Sequence, residues 1–299
     1  MTLHLPVRPA LPHHNDTDGG TGVATAGRHL ASVLGVLAGL LAAAAVLGPL
    51  VLGVVTYRTS PTTLNQLLGS DAAVLAVVVP LTAFAAVLAA RRSPVAPPLA
   101  AGVGAFALYT YVQVVVGQEY LRLPGNVERL FLLYLAVVVT AEAAVVLGLR
   151  GAPVPPVARR LDRVTGVVLL LEATFLLVGL HLPTMLQAWR DPGAMVQYAS
   201  SPTPFWLVKI MDLGIVVPVT VTVGIGLLRL APWARRLRAT LLVACTCLGA
   251  SVTAMALVML AHHDPDASPV LAAGFAAFTC AFAGLTVASC RPLVRRLPA

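Results

Sequence analysis

The chain has 299 residues, 58% hydrophobic and 11% charged, with a formal net charge of +8. A water-soluble domain carries about 25% charged residues, so this composition excludes an ordinary soluble fold and makes a lipid bilayer the partner of most of the surface. The basic balance does not point to nucleic acid, because the arginines flank apolar stretches instead of clustering on one polar face.

Residues 1–29 are polar and include His13, His14, Asn15, Asp16 and Asp18. They read as a disordered cytoplasmic tail. A cleaved signal needs a basic start and a short apolar core; here the apolar stretch begins near Leu30, too late and too long. Eight stretches then follow, at Leu30–Thr56, Asp71–Ala90, Pro97–Gly117, Leu130–Leu149, Val164–Leu182, Trp206–Leu228, Ala239–Ala261 and Pro269–Cys290. Crossing the hydrocarbon core takes about 20 apolar residues. The expectation is an all-α integral membrane bundle of eight transmembrane helices over residues 30–290, with a short basic cytoplasmic tail at 291–299.

Sorting the basic residues by alternate sides supports that count. Arg58, Arg122, Arg129, Arg190 and Lys209 fall on one side, and the other 15 of the 20 fall on the side of the termini. The positive-inside rule places the richer side, and both termini, in the cytoplasm of a cell membrane. An odd number of spans would scramble this asymmetry. Asp71, Glu119, Glu128, Asp191, Asp212, Asp264 and Asp266 lie toward the outer side, with Trp189, Tyr198 and Trp206 as an aromatic belt.

Local signals refine the path. Ser60-Pro61 looks like a helix start, with Ser as cap and Pro in the first turn, leading into a short interfacial helix over Thr62–Leu68. Pro124-Gly125 suits a type II turn joining the third and fourth spans. Pro183–Phe205 is the longest outer loop. Pro49, Pro80 and Pro218 fall inside spans, where each removes a backbone hydrogen bond and kinks the helix. Gly35 and Gly39 form a GxxxG in the first span, a weak signal in a chain this rich in Gly and Ala. No internal repeat of the inverted-transporter kind is visible.

Glu142 and Glu172 are the sharpest chemical signal, because a charge near the centre of a membrane helix costs about 2.5–3.5 kcal/mol on insertion scales. Glu142 lies eight residues before Arg150 and Glu172 nine after Arg163. At 1.5 Å rise per residue both sit about 12–14 Å above the inner boundary. A short connection makes neighbours of their helices, and two carboxyls at one depth can share a proton as a proton or ion relay. The alternative is that each is a neutral acid hydrogen-bonded inside the bundle, with Thr165 on the face of Glu172.

Tyr109, Gln113, Gly117 and Tyr120 form a polar stripe on the third span, ending beside Glu119. It reads either as a vestibule lining or as interhelical hydrogen-bonding glue. Lys209 and Asp212, three apart, pair with each other or join Glu119 in an outer cluster. His181, His262, His263 and Asp264, with Met255 and Met259, carry donors suited to copper, zinc or iron, but their spacing matches no closed site and HEXXH is absent. Cys245, Cys247, Cys280 and Cys290 read as small apolar core residues. No GxSxG, Walker or dinucleotide fingerprint appears, so neither a catalytic residue nor a cofactor is assigned.

The stretches Val116–Tyr120, Pro124–Arg129 and Phe205–Gly214 resemble segments of a family of polytopic membrane proteins, mainly of high-GC bacteria, to which no activity is attached. The resemblance covers about the middle half of the chain and implies no site residues. The leading expectation is a small-solute or ion transporter with Glu142 and Glu172 as a buried relay and Tyr109, Gln113, Tyr120, Glu119, Lys209 and Asp212 around its mouth. The alternatives are a membrane enzyme or metal-binding redox protein using the outer His and acidic residues, and a structural or signalling partner without a small-molecule site. A second copy of the chain is a further candidate partner.

Overall fold

The computed structural model describes residues 18–193 and 195–294. The tail before Asp18, with Arg8, and residues 295–299, with Arg295 and Arg296, lie outside them. Among the described residues eight helices are long and apolar enough to cross a membrane, and no strand occurs. They are α1 Asp18–Leu47, α2 Pro61–Ala90, α3 Ala96–Val116, α4 Val127–Gly151, α5 Arg159–Arg190, α6 Pro202–Leu228, α7 Pro232–Ala261 and α8 Pro269–Val294.

Several boundaries differ from the sequence reading, each for a local reason. α1 begins well before Leu30 and stops at Leu47, so Pro49 sits in the following turn instead of kinking a span. Ser60 caps α2 as expected, its hydroxyl accepting from Thr63 N. The segment Thr62–Leu68 is not a separate interfacial helix but the first turns of α2. Thr62 and Asn65 of this segment both bond Asp264. α5 runs on through Pro183 to Arg190 and absorbs the first eight residues of the expected outer loop.

Pro80, Pro183 and Pro218 share one device. Each follows a widened π turn, at Val74–Val78, Phe175–His181 and Asp212–Val216. Proline has no N–H and its ring collides with the carbonyl four residues back. Widening the preceding turn relieves both problems without breaking the helix. One extra residue in a turn also rotates everything beyond it by about 100°, which decides which side chains face inward.

The helices pack as two four-helix halves. α1 lies against α2 and α4, and α3 against α4 and α2; α5 lies against α6 and α8, and α7 against α6 and α8. α7 joins the halves by packing also on α2 and α3. In lipid this association relies on close contact, so small residues matter. A Cβ on Gly69 would fall 2.4 Å from the Met255 backbone, and one on Gly148 would fall 2.6 Å from Ala101 N. Gly35 and Gly39 have nothing within 4 Å, so the GxxxG marks no contact.

The two ends of the bundle differ. The end holding Arg91, Arg150, Arg159 and Arg229 has short connections and a buried Asp162–Arg238 ion pair, with Asp162 0% and Arg238 1% exposed. The opposite end carries the longer, hydrogen-bonded loops. Arg58 grips Glu128 with Nε and Nη2, at 3.1 and 2.6 Å, which raises the Arg58 pKa above its usual value and keeps it charged. The Pro124-Gly125 segment is not a type II turn, since Gly125 lacks the positive φ that turn requires. Glycine is needed there because a Cβ would meet Thr56 O at 2.8 Å.

Candidate functional site

The spacing of Tyr109, Gln113 and Gly117 places them on one face of α3, and that face lines a cavity of about 400 Å³ between the two halves. This volume lies within the usual range of small-molecule sites. The cavity starts among Gln118, Ser201, Asp266 and Ser268 at the loop-rich end and reaches Glu172, Cys245 and Phe282. Below that floor the fully buried Leu169, Leu227 and Leu242 fill the interior toward the arginine-rich end. Beyond them lies the Asp162–Arg238 pair.

Two widened turns deliver the central polar group. His181 is the last residue of one and Asp212 the first of the other. His181 Nε2 lies 2.7 Å from Asp212 Oδ2, and Tyr109 donates its phenol proton to Asp212 Oδ1. His181 and Asp212 are buried, at 3% and 8% exposure. A buried carboxylate needs such partners to remain where it is. The result is a three-residue hydrogen-bonded chain from α3, α5 and α6, through which a proton can shift away from bulk water.

Lys209 is one helical turn from Asp212 but does not pair with it. Each Asp212 oxygen meets another partner, and Lys209 Nζ instead sits 3.2 Å from the centroid of the Phe205 ring. Among the described residues the ammonium makes no ion pair or hydrogen bond, although Lys209 is only 7% exposed. The Gln113 side-chain nitrogen is likewise buried without a hydrogen-bond partner. Both residues line the cavity.

The two glutamates part company. Glu172 lines the cavity floor, where Cys245 Sγ lies 3.6 Å from its Oε2. Glu142 is exposed on the outside of α4 and takes no part in the cavity wall. Their helices have different neighbours: α4 packs on α3 and α1, and α5 on α6. A short connection did not make them adjacent, and the two carboxyls do not form one relay. Thr165 is fully buried but its hydroxyl has no hydrogen-bond partner, so it does not serve Glu172.

Two of the expected mouth residues are structural instead. Glu119 is buried, accepts from Thr203 N at 2.7 Å at the start of α6, and lies 3.6 Å from Arg122. Tyr120 falls beyond the end of α3, is 41% exposed and donates to Val115 O. The metal candidates scatter as well. His181 is bound to Asp212, His262 to Asn65 at 2.7 Å, and Asp264 to Thr62 and Asn65, while His263 ends α7 in a left-handed turn. Among the described residues no three His, Cys, Asp or Glu gather as a metal site. Of the wall, the sequence reading missed Cys245 as the partner of Glu172 and the Ser70–Ser251 hydrogen bond between α2 and α7. Small polar residues in apolar helices give no periodic signal of their own.

No protein-family model, curated protein or solved structure matches this chain.

Proposed function

We propose that this multi-pass membrane protein is a small-solute transporter of a bacterial cytoplasmic membrane, with its arginine-rich end in the cytoplasm. One observation carries the reading. A cavity of about 400 Å³ runs from the loop-rich end into the membrane-spanning region and ends on a packed apolar floor. It is walled by buried ionisable groups, which at membrane depth are rare and favour a functional reading. Such a cavity corresponds to one state of an alternating-access cycle, open away from the cytoplasm. Tyr109, Asp212 and His181 are the groups through which a proton would couple to the solute, and Glu172 stands at the inner limit of the path. The orientation follows from the arginine asymmetry.

A membrane-embedded enzyme is the second reading, favoured by the His181–Asp212 pair, which resembles a base oriented by a carboxylate. The two differ in access. In a variant with Cys245, Cys247, Cys280 and Cys290 replaced by Ala, a single cysteine at Thr110 in the cavity wall is exposed to a membrane-impermeant methanethiosulfonate in right-side-out and inverted vesicles. A transporter gives modification from both sides. Modification from one side only rejects transport and leaves the enzyme or a closed binding site.

A further inference from the structure

Two donors stand without acceptors at the centre of the cavity. Asp212 has both oxygens occupied, by Tyr109 and His181. Lys209 and Gln113 have not found acceptors: the ammonium rests on the Phe205 ring and the amide nitrogen has no partner. An ammonium over 90% buried with no ion-pair partner is costly, and so is a buried N–H without an acceptor. These costs are recovered if a bound molecule supplies the acceptors. The remaining carboxyls of the cavity are Glu172 and Asp266. Glu172 lies nine residues before His181 on α5, about 13 Å deeper at ordinary helical rise, and Asp266 stands among the loops. Around Glu172 the wall turns apolar and aromatic, with Phe175, Phe278 and Phe282.

Resting on the transporter reading for the identity of the cavity, we infer that its ligand is a small organic carboxylate with an apolar body. Its charged end lies against Lys209 and Gln113, and its body extends toward the phenylalanines. The π faces below accept an apolar or aromatic group, and the ammonium provides the counter-charge.

The test compares three probes of one shape and different charge. Benzoate, benzylamine and benzyl alcohol are each titrated at the same pH against the full chain in lipid nanodiscs, reading the melting temperature and the tryptophan fluorescence, to which Trp206 beside Phe205 contributes. Benzoate is expected to raise the melting temperature in a saturable way, with at least tenfold lower Kd than the other two. Lys209→Met is expected to remove that preference and Lys209→Arg to retain part of it. Equal or stronger binding of benzylamine or benzyl alcohol, no response to benzoate, or full benzoate binding by a folded Lys209→Met variant overturns the inference. The cysteine-access result is independent of these outcomes. Two-sided access without carboxylate preference sinks only the ligand class, whereas carboxylate binding with one-sided access sinks transport.

Discussion

The Asp162–Arg238 pair gives the most quantitative test of how the arginine-rich end is held. Both side chains are essentially inaccessible, at 0% and 1% exposure. Asp162 Oδ2 also accepts from Ala158 N at 3.0 Å, where α5 begins. Arg238→Met leaves a buried carboxylate with no counter-charge, and Asp162→Asn leaves a buried guanidinium while preserving an acceptor for Ala158. Each is expected to cost about 3–5 kcal/mol, the usual consequence of breaking one side of a buried pair. The double variant removes both charges, so its cost is expected to fall at least about 2 kcal/mol short of the sum of the two singles. Unfolding by SDS in mixed micelles, followed by circular dichroism, measures all four corners of the cycle. If each single variant costs under about 1 kcal/mol, or if the two costs simply add, the ion pair does not hold this end together and the argument from burial is wrong.

Other expectations follow from particular contacts. Gly69→Ala puts a methyl group against the Met255 backbone and is expected to lose about 1–3 kcal/mol in the same assay, while Gly35→Ala stays near wild type; equal effects would contradict the α2–α7 packing. His181→Phe leaves Asp212 Oδ2 without its partner and is expected to cost about 1–3 kcal/mol; an unchanged melting temperature would mean the bond is not maintained. Glu142→Leu, on the outer face of α4, is expected to leave benzoate binding intact, and a loss of binding there would restore Glu142 to the site. Partial burial, and then the neighbouring Asp264, raises the Asp266 carboxyl above its usual pKa. The folded state therefore favours its neutral form, and the stability it contributes is present in acid and lost as pH rises through the raised value. Asp266→Asn is expected to flatten that decline in melting temperature against pH, and a profile parallel to wild type would argue against it.

The amino-acid sequence by itself determined the class of structure. Long apolar stretches have only one stable form in lipid at this length, the helix, and so eight helices were legible from composition. The same holds for the α3 stripe through Gly117, because no irregularity interrupts that helix and a spacing of four keeps one face. The tertiary structure alone decided which helices touch and what the buried groups face. Chain adjacency suggested α4 beside α5, yet α5 packs with α6 and α8, and Glu142 and Glu172 part company. The widened turn before Pro183 shifts His181 out of the register that a regular helix assigns, whereas Asp212 opens its widened turn still in register with Lys209. Those two residues, read separately as a metal candidate and the partner of Lys209, meet each other and Tyr109 instead. Periodicity fixes a face only while the helix stays regular, and pairing between faces is set by packing, which no single helix encodes.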